Sequence, residues 1–217
     1  YDVFDEHRYY RPGAEPAVVT VDGVEVGLTV CEDAWHDAVV TGQRRHSTDP
    51  LAETAAAGAE LILTLSASPF SLDKPARREE RFLKHAARTD CPVVFANQVG
   101  GNDELVFDGH SFVAADGSVR CRLSGFEPET ATVDVPLDGS GGSVPRYDRS
   151  PAGQARAALG LGIRDYFQKT GFDEAVIGTS GGIDSSVAAT PAAHALGPGR
   201  PYGVPPPVPV TRPQSVH

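Results

Sequence analysis

GTSGGIDSS, Gly178 to Ser186, decides how the second half of the chain is built. It follows Glu174-Ala175-Val176-Ile177, a short apolar run of the kind that forms a buried strand. It leads into Ser-Ser-Val-Ala-Ala, which suits the first turns of a helix. Gly181 and Gly182 tolerate positive φ and let a ligand approach the backbone closely. The helix that follows points its free N–H groups and the positive end of its dipole at whatever binds there, which favours phosphate. The stretch reads as a phosphate-cradling turn at the start of a parallel α/β domain.

Three ligand-binding or catalytic readings of the turn compete with a plain glycine turn. No Gly-Lys-Ser/Thr closes it, so it is not a Walker loop, and it is not the dinucleotide G-x-G-x-x-G. Gly178, Ser180 and Gly182 do satisfy G-x-S-x-G, the nucleophile elbow of α/β-hydrolases. That chemistry needs an acid and then a histidine well downstream. Only His194 and His217 follow, and Asp184 is the one carboxylate after the serine. The third reading is a resemblance: SGGIDS is similar to the pyrophosphate loop of the ATP pyrophosphatases, which activate a substrate as its adenylate.

The bulk numbers fit an ordinary globule of 217 residues, 40% apolar and 22% charged. A net charge of −10 argues against nucleic acid as a partner. No run reaches the length of a membrane span and no signal sequence opens the chain. Cys31, Cys91 and Cys121 lack metal-ligand spacing and read as reduced thiols of a cytoplasmic protein. The absence of Met and the start at Tyr1 read as a fragment or processed chain.

Residues 1–16 read as an extended loop, and 17–31 as a hairpin around Asp22-Gly23. A helix is expected over 47–58, capped by Ser47, Thr48 or Asp49 and stopped by Gly58. A buried strand follows over 60–66. A charged helix spans 73–90, with Phe82, Leu83, Ala86 and Ala87 inward, and another strand runs over 91–99. Residues 105–135 read as a β-meander punctuated by Asp108-Gly109 and Asp116-Gly117. Residues 136–151 are a linker by composition, and a helix over 152–170 ends at Gly171. His7, His36, His46, His85 and His110 show no ligand spacing and read as scattered surface histidines.

Cys31 ends an apolar strand in VGLTVCEDAW, where side chains face clefts; a structural cysteine is the alternative. Adjacent Glu32 and Asp33 would raise its pKa, so an activated thiolate needs a cation from elsewhere. VGLTVCEDAW, LTLSASPFSLDK (63–74) and VVFANQVGGNDELVFDGHSFV (93–113) resemble the carbon–nitrogen hydrolase, nitrilase-type glutaminase domain. More narrowly, with SGGIDS after them, they resemble the version fused to NAD synthetase. The resemblance covers residues 1–135 and about 152–190. It implies an α/β protein: part of a nitrilase-type α-β-β-α sandwich, then the start of a Rossmann-like ATP-pyrophosphatase domain over 152–217.

The resemblance implies that Cys31 attacks the side-chain amide of glutamine to form a thioester. Tyr1, Glu32, Ser68 and Lys74 fall where the family contacts glutamine, with Lys74 toward its α-carboxylate, and Glu6 matches a supporting glutamate. Asn97, Gln98, Gly100 and Gly101 shape the same cleft or merely a turn. The family's general-base glutamate and oxyanion lysine lie upstream of Tyr1, so the chain by itself is expected to catalyse neither half-reaction. ATP is implied on Gly178, Thr179, Ser180, Gly181, Gly182, Ile183, Asp184 and Ser185. Mg²⁺ would come with the phosphates, and Asp184 is its nearby carboxylate or else the helix cap. Deamido-NAD is the implied acceptor, amidated with ammonia from glutamine, and the family's internal ammonia transfer implies a homo-oligomeric parent. A stand-alone nitrilase-type amidase and a non-catalytic remnant are the alternatives.

The match frays after Ser186. Pro191 falls inside the expected helix, where it costs roughly 3 kcal/mol. Leu196-Gly197-Pro198 and Tyr202-Gly203-Val204 still resemble the family, but PPPVPVTRPQSVH then replaces an expected strand. The tail from about 191 reads as aberrant, either a polyproline segment or a disordered end.

Overall fold

Asp22 and Gly23 both take positive φ, 50° and 85°, as a tight two-residue hairpin requires. They turn β1 (Ala17–Val21) back onto β2 (Val24–Val30) in the computed structural model. The structure describes residues 8–35, 39–40, 43–44, 48–135, 137, 144, 150–197 and 199–205. Tyr1, Glu6, the linker apart from four of its residues, and the tail from 206 lie outside them. Contacts divide the chain into one unit of Tyr1–Val99 with Phe107–Tyr147 and a second of Gly100–Val106 with Asp148–His217.

In the first unit a 3-10 turn (Cys31–Trp35) follows β2. Two-residue strands β3 (Val39–Val40) and β4 (Gln43–Arg44) pair with each other. Asp49 caps α1 (Pro50–Ala56) by accepting from Ala52 N at 3.3 Å, and Gly58 at φ 101° lets the chain leave for β5 (Leu61–Ser66). Helix α2 (Lys74–Thr89) and β6 (Val93–Asn97) follow; β7 (Val99–Asn102) and β8 (Leu105–Asp108) each have residues in both units, and β9 (Phe112–Ala115) and β10 (Ser118–Arg122) belong to the first. One sheet runs in the order β1-β2-β5-β6-β9-β10, with β2, β5 and β6 mutually parallel. One face of it meets Leu51, Phe82 and Ala86 from the helices. Phe82, Phe95 and Phe112 form the centre, with ring centroids 4.7–5.6 Å apart. This is one helix layer and one sheet of the expected sandwich.

Several sequence expectations shift. The inner face of α2 includes Arg78 and His85, while Ala87 is exposed. Its outer side lines Arg77, Arg81, Lys84 and Arg88 in a row, a basic stripe on an acidic chain, with Glu80 and Asp49 answering Lys84 and Arg88. The 105–135 stretch is not one meander. β9 and β10 form a hairpin at Asp116-Gly117, but β8 pairs with β7 instead, and no strand follows Arg122 before Val135. Asp108-Gly109 is no turn at the surface, because Asp108 is fully buried.

In the second unit, α3 (Pro151–Thr170) is capped by Ser150, whose Oγ accepts from Gly153 N at 3.1 Å, and ends at Gly171 with φ 75°. The β7–β8 turn lies against α3: Gly101 N donates to Asp165 Oδ2 at 2.7 Å, and Lys169 Nζ donates to the Gly101 carbonyl. A Cβ on Gly101 would sit 3.1 Å from Gly162 Cα, so glycine is what permits this approach. Gly100 and Gly101 thus fall in the second unit, and Asn97 and Gln98 in the first. β11 (Ala175–Gly178), α4 (Ile183–Leu196) and β12 (Pro201–Val204) make a βαβ unit with parallel strands. Helix α4 runs through Pro191 without breaking, at the cost of one backbone donor.

Candidate active site and candidate phosphate loop

The parallel register pairs Val30 with Leu65 and Ser66 with Asn97. The carboxyl ends of three neighbouring strands therefore finish level, the edge at which parallel sheets bind ligands. Cys31 is the first residue past the end of β2 and holds φ at 41°, a left-handed conformation that costs a non-glycine residue about 1–2 kcal/mol. Asp33 fixes the turn by accepting from Val30 N at 2.7 Å. Ala34 and Trp35 are buried in the core behind it, where His85 Nε2 donates to the Ala34 carbonyl at 3.1 Å. A strained residue held this firmly between strand and helical turn is how a nucleophile is presented.

Around Cys31 the other strand ends supply polar groups. Ser66 Oγ donates to Cys31 Sγ at 3.3 Å. Ser68 is buried, and its N–H donates to Asn97 Oδ1 at 2.9 Å. The Ser68 hydroxyl has no hydrogen-bond partner among the described residues, an orphaned donor of the kind a polar ligand satisfies. Asn97 also donates through Nδ2 to the Gly109 carbonyl and through its backbone N–H to Ser111 Oγ, each at 3.0 Å, so it pins the Ser68 loop to the strand behind. Glu32 is half-buried in the Cys31 turn. Lys74 is half-buried at the start of α2, with its ammonium 5.9 Å from the Trp35 ring centre.

Behind Asn97 lies a buried charge cluster. Arg78 grips Asp108 with both terminal nitrogens, at 3.2 and 2.6 Å, and its Nη2 also donates to the Gly109 carbonyl at 3.3 Å. His110 Nδ1 sits 2.8 Å from Asp108 Oδ2. Burial pushes the Asp108 carboxyl up, but the His110 hydrogen bond and the Arg78 charge outweigh it and hold it below its ordinary value. His85 and His110 are both buried, not surface residues. Cys91 is a different kind of thiol: burial first, then the charges of Asp90 and Glu60, push it up to about 11.

The loop after β11 is built the other way. Gly181 holds φ 74° without a side chain to strain, and Gly182 is the N-cap of α4. Ser180 Oγ accepts from Gly182 N at 3.3 Å, while Ser185 Oγ and Ser186 Oγ each donate to the Gly182 carbonyl at 3.0 Å. Thr179 N donates to the Val204 carbonyl at 2.9 Å, tying the loop to β12. Ile183, Asp184 and Ser185 form the first helical turn, whose N–H groups have no partner within the helix. Asp184 is exposed and is not the cap. Ser180 keeps negative φ, so the strained elbow lies at Cys31 and not at Gly178-Ser180-Gly182. No group of three acidic, histidine or cysteine side chains among the described residues is arranged to hold a metal ion.

The carbon–nitrogen hydrolase family model matches residues 2–142. The chain belongs to the carbon–nitrogen hydrolase family. A second family model, NAD synthase, matches residues 156–217. Glutamine-dependent NAD(+) synthetases from Synechocystis and Aquifex aeolicus are each 38% identical to it, over 100% and 91% of the chain. The chain spans 39% of the length of both. A solved glutamine-dependent NAD+ synthetase from Acinetobacter baumannii, in complex with ADP, superposes with a TM-score of 0.88 at 29% identity, covering all of this chain and 40% of that one.

Sequence reasoning missed Ser66 and the Arg78–Asp108–His110 cluster. A signal for Ser66 existed: LTLS ends in a hydroxyl at the same step past an apolar run as Cys31 in GLTVC. Nothing local marked the cluster, whose members are up to 32 residues apart in sequence.

Proposed function

We propose that the chain carries the nucleophile end of a glutaminase and the ATP loop of a glutamine-dependent NAD synthetase. The single observation that carries this is Cys31 strained at φ 41° on the carboxyl edge, in a chain whose second part bears the Gly181-Gly182 loop on a βαβ unit. Cys31 Sγ attacks the side-chain carbonyl carbon of L-glutamine. The resulting oxyanion takes the N–H of Glu32, the C–N bond breaks as the nitrogen gains a proton, and ammonia leaves a thioester. Water then adds to the thioester, glutamate departs and the thiol is restored. Ser68, Glu32 and Lys74 hold the glutamine, with Tyr1 and Glu6 assigned beside them from the resemblance alone.

On the second unit, the N–H groups of Gly181 to Ser185 and the hydroxyls of Thr179, Ser180 and Ser185 cradle the phosphates of ATP. The carboxylate of deamido-NAD attacks the α-phosphorus, pyrophosphate leaves, and ammonia displaces AMP to form the amide. Asp184 is the one carboxylate the loop offers to a Mg²⁺ carried in with the nucleotide, and no step depends on it. Three free thiols fit a reducing cytoplasm, and the enzyme is read as a homo-oligomer acting on small molecules.

The test is NAD synthesis by the protein extended to the length of its relatives, with glutamine or with ammonium salt as nitrogen source. Cys31→Ala is expected to abolish the glutamine-dependent rate and leave the ammonia-dependent rate intact. An alanine variant that still uses glutamine sinks the assignment of Cys31. Loss of ATP dependence in the parent sinks the loop's.

A further inference from the structure

We propose that Ser66 is a positioning residue for Cys31, its hydroxyl orienting Sγ and steadying the thiolate. Val30 and Leu65 are register partners, so the next residue along each strand, Cys31 and Ser66, meets the other at the same level. Ser66 Oγ stands 3.3 Å from Cys31 Sγ, and among the described residues it is the hydrogen-bond partner of that sulfur. The donor is rigid. Ser66 is still within β5, paired with Asn97, and its carbonyl accepts from Gln98 N at 2.9 Å. A group delivered from a strand end loses little freedom when it engages, unlike one on a loop.

Two carboxylates, Glu32 and Asp33, share the Cys31 turn. From α1, Asp49 is paired with Arg88, and Glu53 stands in the first turn. On α2, Lys74 and Arg81 lie over the Trp35 ring and His85 bonds to the Ala34 carbonyl. A hydroxyl pointing its proton at sulfur stabilises the charged form more than the neutral one, because charge-assisted bonds are the stronger. The same bond fixes which way Sγ faces while the backbone strain fixes where it stands. Ser66 thereby sets both the angle and the ionisation of the attacking atom. This rests on Cys31 being the nucleophile.

The test needs no turnover. The purified chain is alkylated with iodoacetamide across a pH series, and the rate at Cys31 is read from its tryptic peptide by mass spectrometry, with thermal melts alongside. Ser66→Ala is expected to move the labelling midpoint up by about one pH unit and slow labelling near neutral pH about tenfold. Ser66→Thr, which keeps the O–H, is expected to hold the wild-type midpoint. An alanine variant with an unmoved midpoint overturns the proposal. So does a threonine variant shifted as far as alanine, since packing and not the hydroxyl would then govern the thiol. Should alanine unfold the chain, near-isosteric Ser66→Cys replaces it, with an upward shift expected and no shift overturning the proposal. A shifted midpoint in a protein whose longer form keeps full glutamine use as Cys31→Ala would leave the hydrogen bond standing and remove only the nucleophile reading.

Discussion

Cys31 and Gly181 both follow a strand, in two separate units, and both place the backbone in the left-handed region, at φ 41° and 74°. At Cys31 the chain accepts strain to keep a side chain there. It holds that side chain with Asp33, Ser66 and the buried pair Ala34 and Trp35. At Gly181 no side chain is present and the loop around it is largely exposed. The difference separates two ways of binding. Covalent chemistry needs one atom held rigidly, whereas phosphate needs several N–H groups with nothing in front of them.

The largest effect expected from breaking this contrast comes at Cys31. Cys31→Gly should lower glutamine-dependent turnover of the longer protein roughly 10³-fold or more. In the 217-residue chain it should raise stability by about 1 kcal/mol, because glycine relieves the strain. A calorimetric melt and a glutamate-release assay read the two, and a destabilised glycine variant contradicts the strain argument.

The support behind Cys31 comes next. Asp108→Asn leaves the fully buried Arg78 without its counter-charge and is expected to cost about 3–5 kcal/mol in urea unfolding. The pH dependence has a definite sign. The Asp108 carboxyl is held below its unfolded value of 3.8, so its contribution is complete above about pH 4. It is lost as pH falls through the folded value. Unfolding curves for the parent and Asp108→Asn should therefore converge in acid; a gap that persists there removes the charge explanation.

Two glycines test the same contrast more gently. A Cβ on Gly125 would lie 2.1 Å from Nε2 of the buried His110 ring, so Gly125→Ala should lower stability by about 1–3 kcal/mol. Gly181→Val forces a branched residue into positive φ, costs about 1–2 kcal/mol locally, and should weaken ATP binding by the longer protein about tenfold. Isothermal titration checks the second, and unchanged affinity would show that the loop does not hold nucleotide. The smallest test concerns the idle thiol: Cys91, pushed up to about 11, should label with iodoacetamide about 100-fold more slowly than a free cysteine at neutral pH.

What could be read from residue order was whatever depends on neighbours along the chain. Asp22-Gly23 marked its hairpin, the run Ser47-Thr48-Asp49 its helix start, and Gly181-Gly182 its strand-to-helix turn, because turn and cap chemistry is local. The α/β class and its parallel strands followed from that punctuation. Cys31 stood out as a strand-end thiol, yet only the three-dimensional register sets Ser66 beside it. Asp108 was misread because Asp-Gly is a turn signal everywhere except where distant Arg78 and His110 bury the carboxylate. Likewise β8 pairs with β7 instead of joining the expected meander, and Gly101 of β7 meets Gly162 and Asp165, about sixty residues along the chain, which no local alternation records.

The most direct test of the division between the two strand ends is covalent capture in the protein extended to the length of its relatives. A glutamine analogue bearing a diazoketone in place of the carboxamide is added, and the adduct is located by peptide mass spectrometry. The account expects one adduct, on Cys31, suppressed by glutamine and indifferent to ATP. An adduct on Cys121 or Ser180, or none at Cys31 while glutamine is still turned over, would contradict it.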